Sequence, residues 1–252
     1  LTIDDLIRFG AMTADIASFL RACIIARIQI LVVGGVGSGK LTLLNVLSSF
    51  IPNDERIITV ERVAELQLRQ EHVVTLETRW ADSDGYGGIT ITDLAHMALT
   101  MRPDRVIFGD LEVDDVEAYL DTAGRLGSSL AMVLADDVDS ALNFLEISVL
   151  RTSPNMTVEH VRNWISGTFK LIVVQQRLRD GSRKITQIVE LTKLAPGRYG
   201  IEPIFVFEQT GIEGGRIIGR IKPTGRRPSF SAAFESFGIH LPPSLFGLGR
   251  NY

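Results

Sequence analysis

The sequence predicts an α/β fold: a mainly parallel sheet flanked by helices, with a small C-terminal appendage. Three observations carry that reading. Short apolar, strand-like runs alternate with stretches of helical periodicity between residues 13 and 165. A glycine-rich stretch joins the first strand-like run to a helical one. Beyond Pro154 the alternation gives way to successive β-type segments.

In the first helical stretch, 13–27, Ile16, Phe19, Leu20, Cys23 and Ile24 recur at helical spacing, and Thr13 is a fitting N-cap. Residues 28–33 read as a strand and 40–50 as a helix, stopped by Pro52 and Asn53. Strands follow at 56–61 and 73–78, then a helix at 90–101. A short buried strand, 105–108, stands behind the Arg102-Pro103-Asp104 turn. A helix at 113–123, a strand at 130–134 and helices at 140–150 and 158–165 complete the alternating part. Three β segments come next, 168–178, 184–194 and 199–207. Arg179-Asp180-Gly181-Ser182 forms a hairpin-like turn between the first two. From Thr224 the chain is rich in glycine, proline, serine and phenylalanine, which predicts an irregular, packed tail. The expected organisation is a helical lead-in at 1–27, a core at 28–208 and an appendage at 209–252, without internal repeats.

The chain has 252 residues, 45% hydrophobic and 22% charged, with a formal net charge of −4. That length can bury a full core, and the composition excludes a disordered chain, a collagen and a disulfide scaffold. The single cysteine, Cys23, has no internal disulfide partner and fits a reducing cytoplasm. Net acidity gives no electrostatic reason to expect nonspecific nucleic-acid binding. The longest apolar run, 22–36, is interrupted by Arg27, Gln29 and glycines, so no segment is expected to cross a bilayer. No signal peptide is read, and the start at Leu1 reads as that of a fragment or processed chain.

Gly34-Gly35-Val36-Gly37-Ser38-Gly39-Lys40 follows a strand and opens a helix. This is the context of a phosphate-binding loop: glycines turn the backbone so that N–H groups face phosphate oxygens, and the helix N-terminus adds partial positive charge. Gly34, Gly39 and Lys40 satisfy G-x-x-x-x-G-K. A dinucleotide fingerprint does not fit, because Lys40 stands where its last glycine belongs. The next residue, Leu41, lacks the hydroxyl that ligates magnesium in such loops, and Thr42 is rotated by about 100° on the helix. Thr42 remains a candidate contact to a more internal phosphate. The residues alone leave two readings: a nucleotide site without its magnesium ligand, or an inherited glycine turn that binds nothing.

With these residues in place, the chain resembles the C-terminal ATPase domain of CpaF/TadA-type motor ATPases, in the type II/IV secretion and type IV (Tad) pilus ATPase superfamily. The matching stretches include Leu43-Leu44-Asn45-Val46-Leu47, Leu76-Glu77-Thr78-Arg79, Met101-Arg102-Pro103-Asp104-Arg105 and Arg177-Leu178-Arg179-Asp180-Gly181-Ser182-Arg183-Lys184. The resemblance runs to Leu241-Pro242-Pro243-Ser244-Leu245-Phe246 and covers nearly the whole chain. It implies a RecA-like P-loop NTPase core. It also implies assembly into rings, usually hexameric, at the cytoplasmic face of the bacterial inner membrane. There such motors drive pilus assembly or secretion.

Position by position, the chemical motifs depart from that family. Its loops read Gly-Lys-Thr-Thr where this chain has Gly39-Lys40-Leu41-Thr42, and its acidic box reads Glu-Asp where Glu61-Arg62 stand. The Gly-Glu that ends its Walker B strand becomes Gly109-Asp110, and Glu112 stands where a cation is expected. Its two box histidines become Leu126 and Leu134, the latter followed by Ala135-Asp136 in place of Ala-Asn. Thr75, Thr92, His96 and Thr100 occupy positions that are commonly arginine, whereas Arg79 matches and is a candidate phosphate contact.

ATP hydrolysis needs a metal ion, an oriented water and cations that neutralise the transferred phosphoryl group. Leu41 removes a metal ligand, and Arg62 opposes a metal electrostatically. Asp110 retracts its carboxylate by about 1 Å, a displacement worth about 100-fold in rate. Loss of a transition-state arginine costs on the order of 1,000-fold. Leucines in place of histidines neither donate hydrogen bonds nor exchange protons.

Other residues receive plainer readings. His72, His96, His160 and His240 lack metal-ligand spacing and read as surface or packing residues, so no metal site is expected. Asp114, Asp115 and Glu117 read as a solvated helix start. Asp136, Asp137 and Asp139 read as a cap for the next helix, and Trp80 and Trp164 as core packing.

The expected function is that of a degenerate motor-ATPase subunit, structural or regulatory, with impaired hydrolysis and residual binding of ATP or ADP. Gly34, Gly35, Gly37, Ser38, Gly39, Lys40 and Thr42 would bind nucleotide, and Asp110 and Glu61 would be the remnants of catalysis. The partners implied are further copies or an active paralogue in a ring, and an inner-membrane platform protein. Two alternatives stay open. One is a slow active ATPase using Asp110, Glu61 and water-coordinated magnesium; the other is an assembly module with an empty site or a different phosphate ligand.

Overall fold

An apolar run such as Ile30-Leu31-Val32-Val33 has no polar face, so it is stable as a strand only where both sides are covered. The computed structural model, which describes residues 1–249, places that run in mid-sheet. Helices α1 (Ile3–Arg8) and α2 (Ala14–Ile25) lead into β1 (Ile30–Val33) and α3 (Lys40–Ser48). There follow β2 (Ile57–Glu61), β3 (Val73–Glu77), α4 (Ile91–Thr100), β4 (Arg105–Leu111), α5 (Val116–Leu126), β5 (Ser129–Val133), α6 (Val138–Thr152) and α7 (Val158–Thr168). Four strands come last, β6 (Leu171–Arg177), β7 (Arg183–Ala195), β8 (Arg198–Glu213) and β9 (Arg216–Pro223), and then the short helix α8 (Ala232–Ser236).

All nine strands form one sheet, ordered β3-β2-β4-β5-β1-β6-β7-β8-β9. The strands from β3 to β6 run parallel, and β7, β8 and β9 extend the sheet antiparallel. The two faces carry separate cores. On one, α2 and α3 pack with the C-terminal tail around Phe19, Leu44, Phe205 and Phe246. On the other, α4 to α7 pack around Phe108, Tyr119, Leu145 and Phe169. Thr13 caps α2 as expected, its hydroxyl accepting the Ile16 N–H at 3.3 Å.

Several elements differ from expectation. Helix α1 is too short for periodicity to reveal; Thr2 and Asp5 close a reciprocal capping box that starts it. Strand β4 continues past Phe108 to Leu111 because a register shift against β5, between Ile107 and Asp110, lets it carry Gly109 and Asp110. The polar run Glu208-Gln209-Thr210 hides the continuation of β8, which reaches Glu213 with an irregularity between Gln209 and Gly211. Strand β8 therefore crosses position 208, where the appendage was expected to begin, and pairs with an unexpected β9.

The tail is irregular and packed, as its composition predicts. Phe19 stands edge-on to Phe234 and Phe246, at centroid distances of 6.3 and 5.8 Å. The buried Glu190 carboxylate accepts the Ser229 N–H at 3.0 and 3.1 Å and also receives the Ser229 hydroxyl. Phe19→Ala is expected to cost about 3–5 kcal/mol in urea unfolding and to expose the chain beyond Thr224 to limited proteolysis. Unchanged proteolysis in a destabilised variant would show that the aromatic cluster does not hold the tail.

Candidate phosphate-binding site

The site hangs from the C-terminal end of β1, where β5 and β6 fix the backbone on both sides. Parallel sheets bind ligands at that edge. Gly34 N–H still donates to Val133 C=O at 3.3 Å, and the Ser38 N–H closes a turn onto Gly35 C=O at 3.2 Å. Gly39 then enters α3 with φ +89°, and a Cβ there would stand 3.0 Å from Gln175 Nε2 and 3.1 Å from Arg183 Cδ. At Gly34 a Cβ would meet the Gln175 carbonyl at 2.7 Å. Both positions therefore require glycine. The first amides of α3 have no side-chain cap, which leaves N–H groups and the helix dipole available to an anion.

Lys40 lies just inside α3, and its Nζ is 2.9 Å from Asp110 Oδ2 at the end of β4. Ser38 and Gln175 are buried beside the loop, and Ser38 Oγ and Gln175 Oε1 have no hydrogen-bond partner. Such orphaned polar atoms fit a polar ligand. A cavity of about 400 Å³ opens next to them, lined by Gly37, Gly39, Thr42, Phe9, Leu6 and Arg183. Leu41 packs at the edge of the hydrophobic core instead of offering an oxygen.

Two arginines and one glutamine from the β6–β7 hairpin reach this loop, and motif reading had not assigned them to it. Arg183 Nε donates to Gly37 C=O at 2.9 Å, and the Arg177 guanidinium stands 3.7 Å from the Cβ position of Gly37. Their signal was the stretch 177–184, legible as a family match without a role. Asp136 brings the opposite charge: its Oδ1 stands 2.7 Å from the Cβ position of Gly35. The helix cap is Asp137, whose Oδ1 accepts the Ser140 N–H at 2.7 Å.

Glu61 ends β2 almost fully buried. Its Oε2 accepts the Glu65 and Leu66 N–H groups at 2.8 and 2.9 Å, so it braces the following loop, while Oε1 stays buried and unpartnered. Arg62 turns the other way. Its Nη2 lies 2.9 Å from both oxygens of Asp115 and 3.1 Å from Glu112. Asp115 is thus a buried ion-pair partner rather than a solvated helix start, and burial raises its pKa against the pull of the Glu112 N–H and Arg62.

Arg79 lies outside the cavity beside the glycine loop. It donates to Gly87 C=O at 2.6 Å and lines a separate hollow with Arg62, Thr78 and Trp80. Trp80 is 89% exposed, against the expectation of core packing; Trp164 does pack on the core. Thr92, His96 and Thr100 are exposed at four-residue spacing, on one outer stripe of α4, and Thr75 is exposed on β3. Leu126 ends α5 and Leu134 follows β5, at opposite ends of that strand. The four histidines are exposed, and no group of three or more His, Cys, Asp or Glu could hold a metal ion among the described residues.

With this geometry in place, comparison decides the family. The profile of type II/IV secretion system proteins matches residues 1–191. The chain belongs to the type II/IV secretion system protein family. A putative conjugal transfer protein of Mycobacterium tuberculosis is 40% identical over 122 residues, 47% of this chain and 35% of that protein. The VirB11 ATPase of the Brucella suis type IV secretion system, solved in complex with sulphate, superposes with a TM-score of 0.63 at 27% identity. That match covers 70% of this chain and 52% of VirB11. The pilus retraction motor PilT with bound ADP shares the fold at a TM-score of 0.53 and 17% identity, covering 90% of this chain and 55% of PilT. The chain thus spans between a third and just over half of these relatives. It is a secretion-ATPase family member with the family's mixed α/β architecture.

Within this family scaffold, Arg62→Ala leaves Asp115 buried without its cation and is expected to cost about 2 kcal/mol at pH 7.5. Asp115 has a folded pKa above its unfolded value, so the penalty grows as pH rises through that pKa and shrinks toward pH 4. Urea unfolding at pH 4.5 and 7.5 reads the difference; a pH-independent loss would mean that Asp115 carries no charge in the pair. Arg62→Glu alone should be the more damaging change, and adding Glu112→Arg should recover more than half of the loss.

Proposed function

We propose that this family member is a RecA-like, CpaF/Tad-type subunit that binds the phosphates of ATP or ADP at its glycine loop and turns them over poorly. The observation that carries the proposal is the coexistence of an intact Lys40 at the start of α3 with Leu41 beside it. The first supplies the anion site. The second removes the hydroxyl that a magnesium-dependent reaction needs. VirB11 held sulphate and PilT held ADP in their solved structures, which supports the same ligand chemistry here.

In this reading the uncapped N–H groups at the start of α3 face the phosphates, Lys40 neutralises their charge, and the orphaned Ser38 hydroxyl donates to a phosphate oxygen. The 400 Å³ cavity beside Thr42 and Phe9 takes the nucleoside end. The donor set does not fit magnesium: Leu41 offers no oxygen, Asp110 lies on Lys40, and Glu61 holds backbone amides. The hydrolytic cations are also missing: the positions that resemble the family's arginines carry Thr92, His96 and Thr100, exposed on α4.

The role that follows is structural or regulatory, in a ring with further copies or with an active paralogue, docked on a platform protein at the cytoplasmic face of the inner membrane. No helix among the described residues is long and apolar enough to cross a membrane.

ADP titration by calorimetry tests the binding half. Lys40→Ala is expected to weaken ADP by at least about tenfold, or 1.4 kcal/mol, and EDTA to change the affinity by less than about threefold. Phosphate release tests the other half. Release should match the Lys40→Ala control, and Leu41→Thr with Asp110→Glu should leave it low. Robust magnesium-dependent turnover that Lys40→Ala abolishes would establish an active motor instead.

A further inference from the structure

The β8–β9 ribbon and the glycine loop come from distant parts of the chain, yet one short turn touches both. Residues 178–182 connect β6 to β7. Leu178 and Ser182 close the turn, with the Leu178 N–H donating to Ser182 C=O at 2.7 Å and the Gly181 N–H to Leu178 C=O at 2.9 Å. Inside it, the two oxygens of Asp180 face in different directions. Oδ1 accepts the Ser182 N–H and hydroxyl at 3.0 and 2.7 Å, which fixes the turn. Oδ2 accepts the Ile217 N–H of β9 at 2.8 Å, which fixes the ribbon. The next residue, Arg183, donates to Gly37 C=O at 2.9 Å, and its Cδ sits against Gly39. Lys184 and Ile185 continue the series, holding Gly10 and Ala11 C=O at 2.8 and 2.9 Å.

We infer that the β6–β7 turn couples the β8–β9 ribbon to the glycine loop, with Asp180 as its positioning residue. Asp180 touches no phosphate. It holds Arg183 where that guanidinium clamps the outward carbonyl of the loop, and a clamped carbonyl fixes the direction of the following amides. Besides the β7–β8 ladder, the β9 end of the ribbon is tied to the turn by the Asp180 carboxylate, so displacement of β9 by a partner and occupation of the loop by phosphate act on one shared element. Coupling of this kind is reciprocal in binding free energy. The Ser182 hydroxyl and the Ile217 and Ser182 N–H groups hold the Asp180 carboxyl down to about 2, so the anchor is charged at every physiological pH. The nucleotide half of the inference rests on the proposed function; the mechanical half stands without it.

Hydrogen exchange separates the two halves. In the ligand-free chain, Asp180→Ala should speed exchange of the 34–40 peptide by about tenfold, as expected for loss of a charge-assisted contact, and leave α6 unchanged. Ile217→Pro removes the donor from the ribbon side and should reproduce the effect. Loop exchange that stays at the wild-type rate in both variants, while the ribbon exchanges faster, overturns the coupling. In the second arm, ADP should slow exchange at 212–217 in the wild type and not in Asp180→Ala. ADP bound through Lys40 without protection at the ribbon also overturns the coupling and leaves the nucleotide proposal standing. A loop effect of Asp180→Ala in a chain that binds no ADP supports the coupling and removes the nucleotide proposal.

Discussion

The double-sided burial of β1 is the constraint on which the rest of the structure depends. Four aliphatic residues, Ile30 to Val33, are fully buried and hydrogen-bonded to β5 and β6 on either edge. A strand so enclosed cannot slip in register without turning its side chains to the wrong faces. Its C-terminal end is therefore a fixed point, and the glycine loop is built out from it. The loop itself is polar backbone folded tightly against Gln175 and Arg183, with no room for a Cβ at Gly34 or Gly39.

The positions expected to depart from the resembled family are of two physical kinds. Leu41, Leu126 and Leu134 carry only carbon in their side chains and offer no hydrogen-bonding or metal-binding atom. Arg62 and Glu112 are different. Each alone reverses the expected charge, but together they form a pair at 3.1 Å, with Asp115 completing it. Opposite charges at the two positions attract, so each change offsets the other. This makes Arg62 an internal fastener between the loop after β2 and the start of α5, rather than a charge opposed to a metal.

Most of the parallel half of the fold was legible because each buried strand is a continuous apolar run and each helix an amphipathic one. The antiparallel half was less so. In β8 and β9, polar residues such as Glu208, Gln209 and Arg220 face outward on an edge ribbon, and the period-two signal is diluted by the irregularity at Gly211. At the site, Gly34, Gly39 and Lys40 were readable because loop, strand and helix are consecutive. Gln175, Arg177 and Arg183 were not, since sheet pairing brings them to the loop from about 140 residues downstream. The exposure of Trp80 could not be read locally either: its hairpin closes on itself through Arg79 and Gly87, leaving the indole outside.

The aromatic cluster around Phe19 has a consequence for the order of events during synthesis. Phe19 lies in α2, whereas Phe234 and Phe246 lie more than two hundred residues downstream, near the end of the described residues. A ribosome releases the first partner long before the last, at about 5–20 residues per second. For roughly ten seconds or more the inner face of α2 has no aromatic cover of its own. The central strand likewise waits for β5 and β6. The apolar face of α2 therefore stays without this cover until Phe234 and Phe246 have been made.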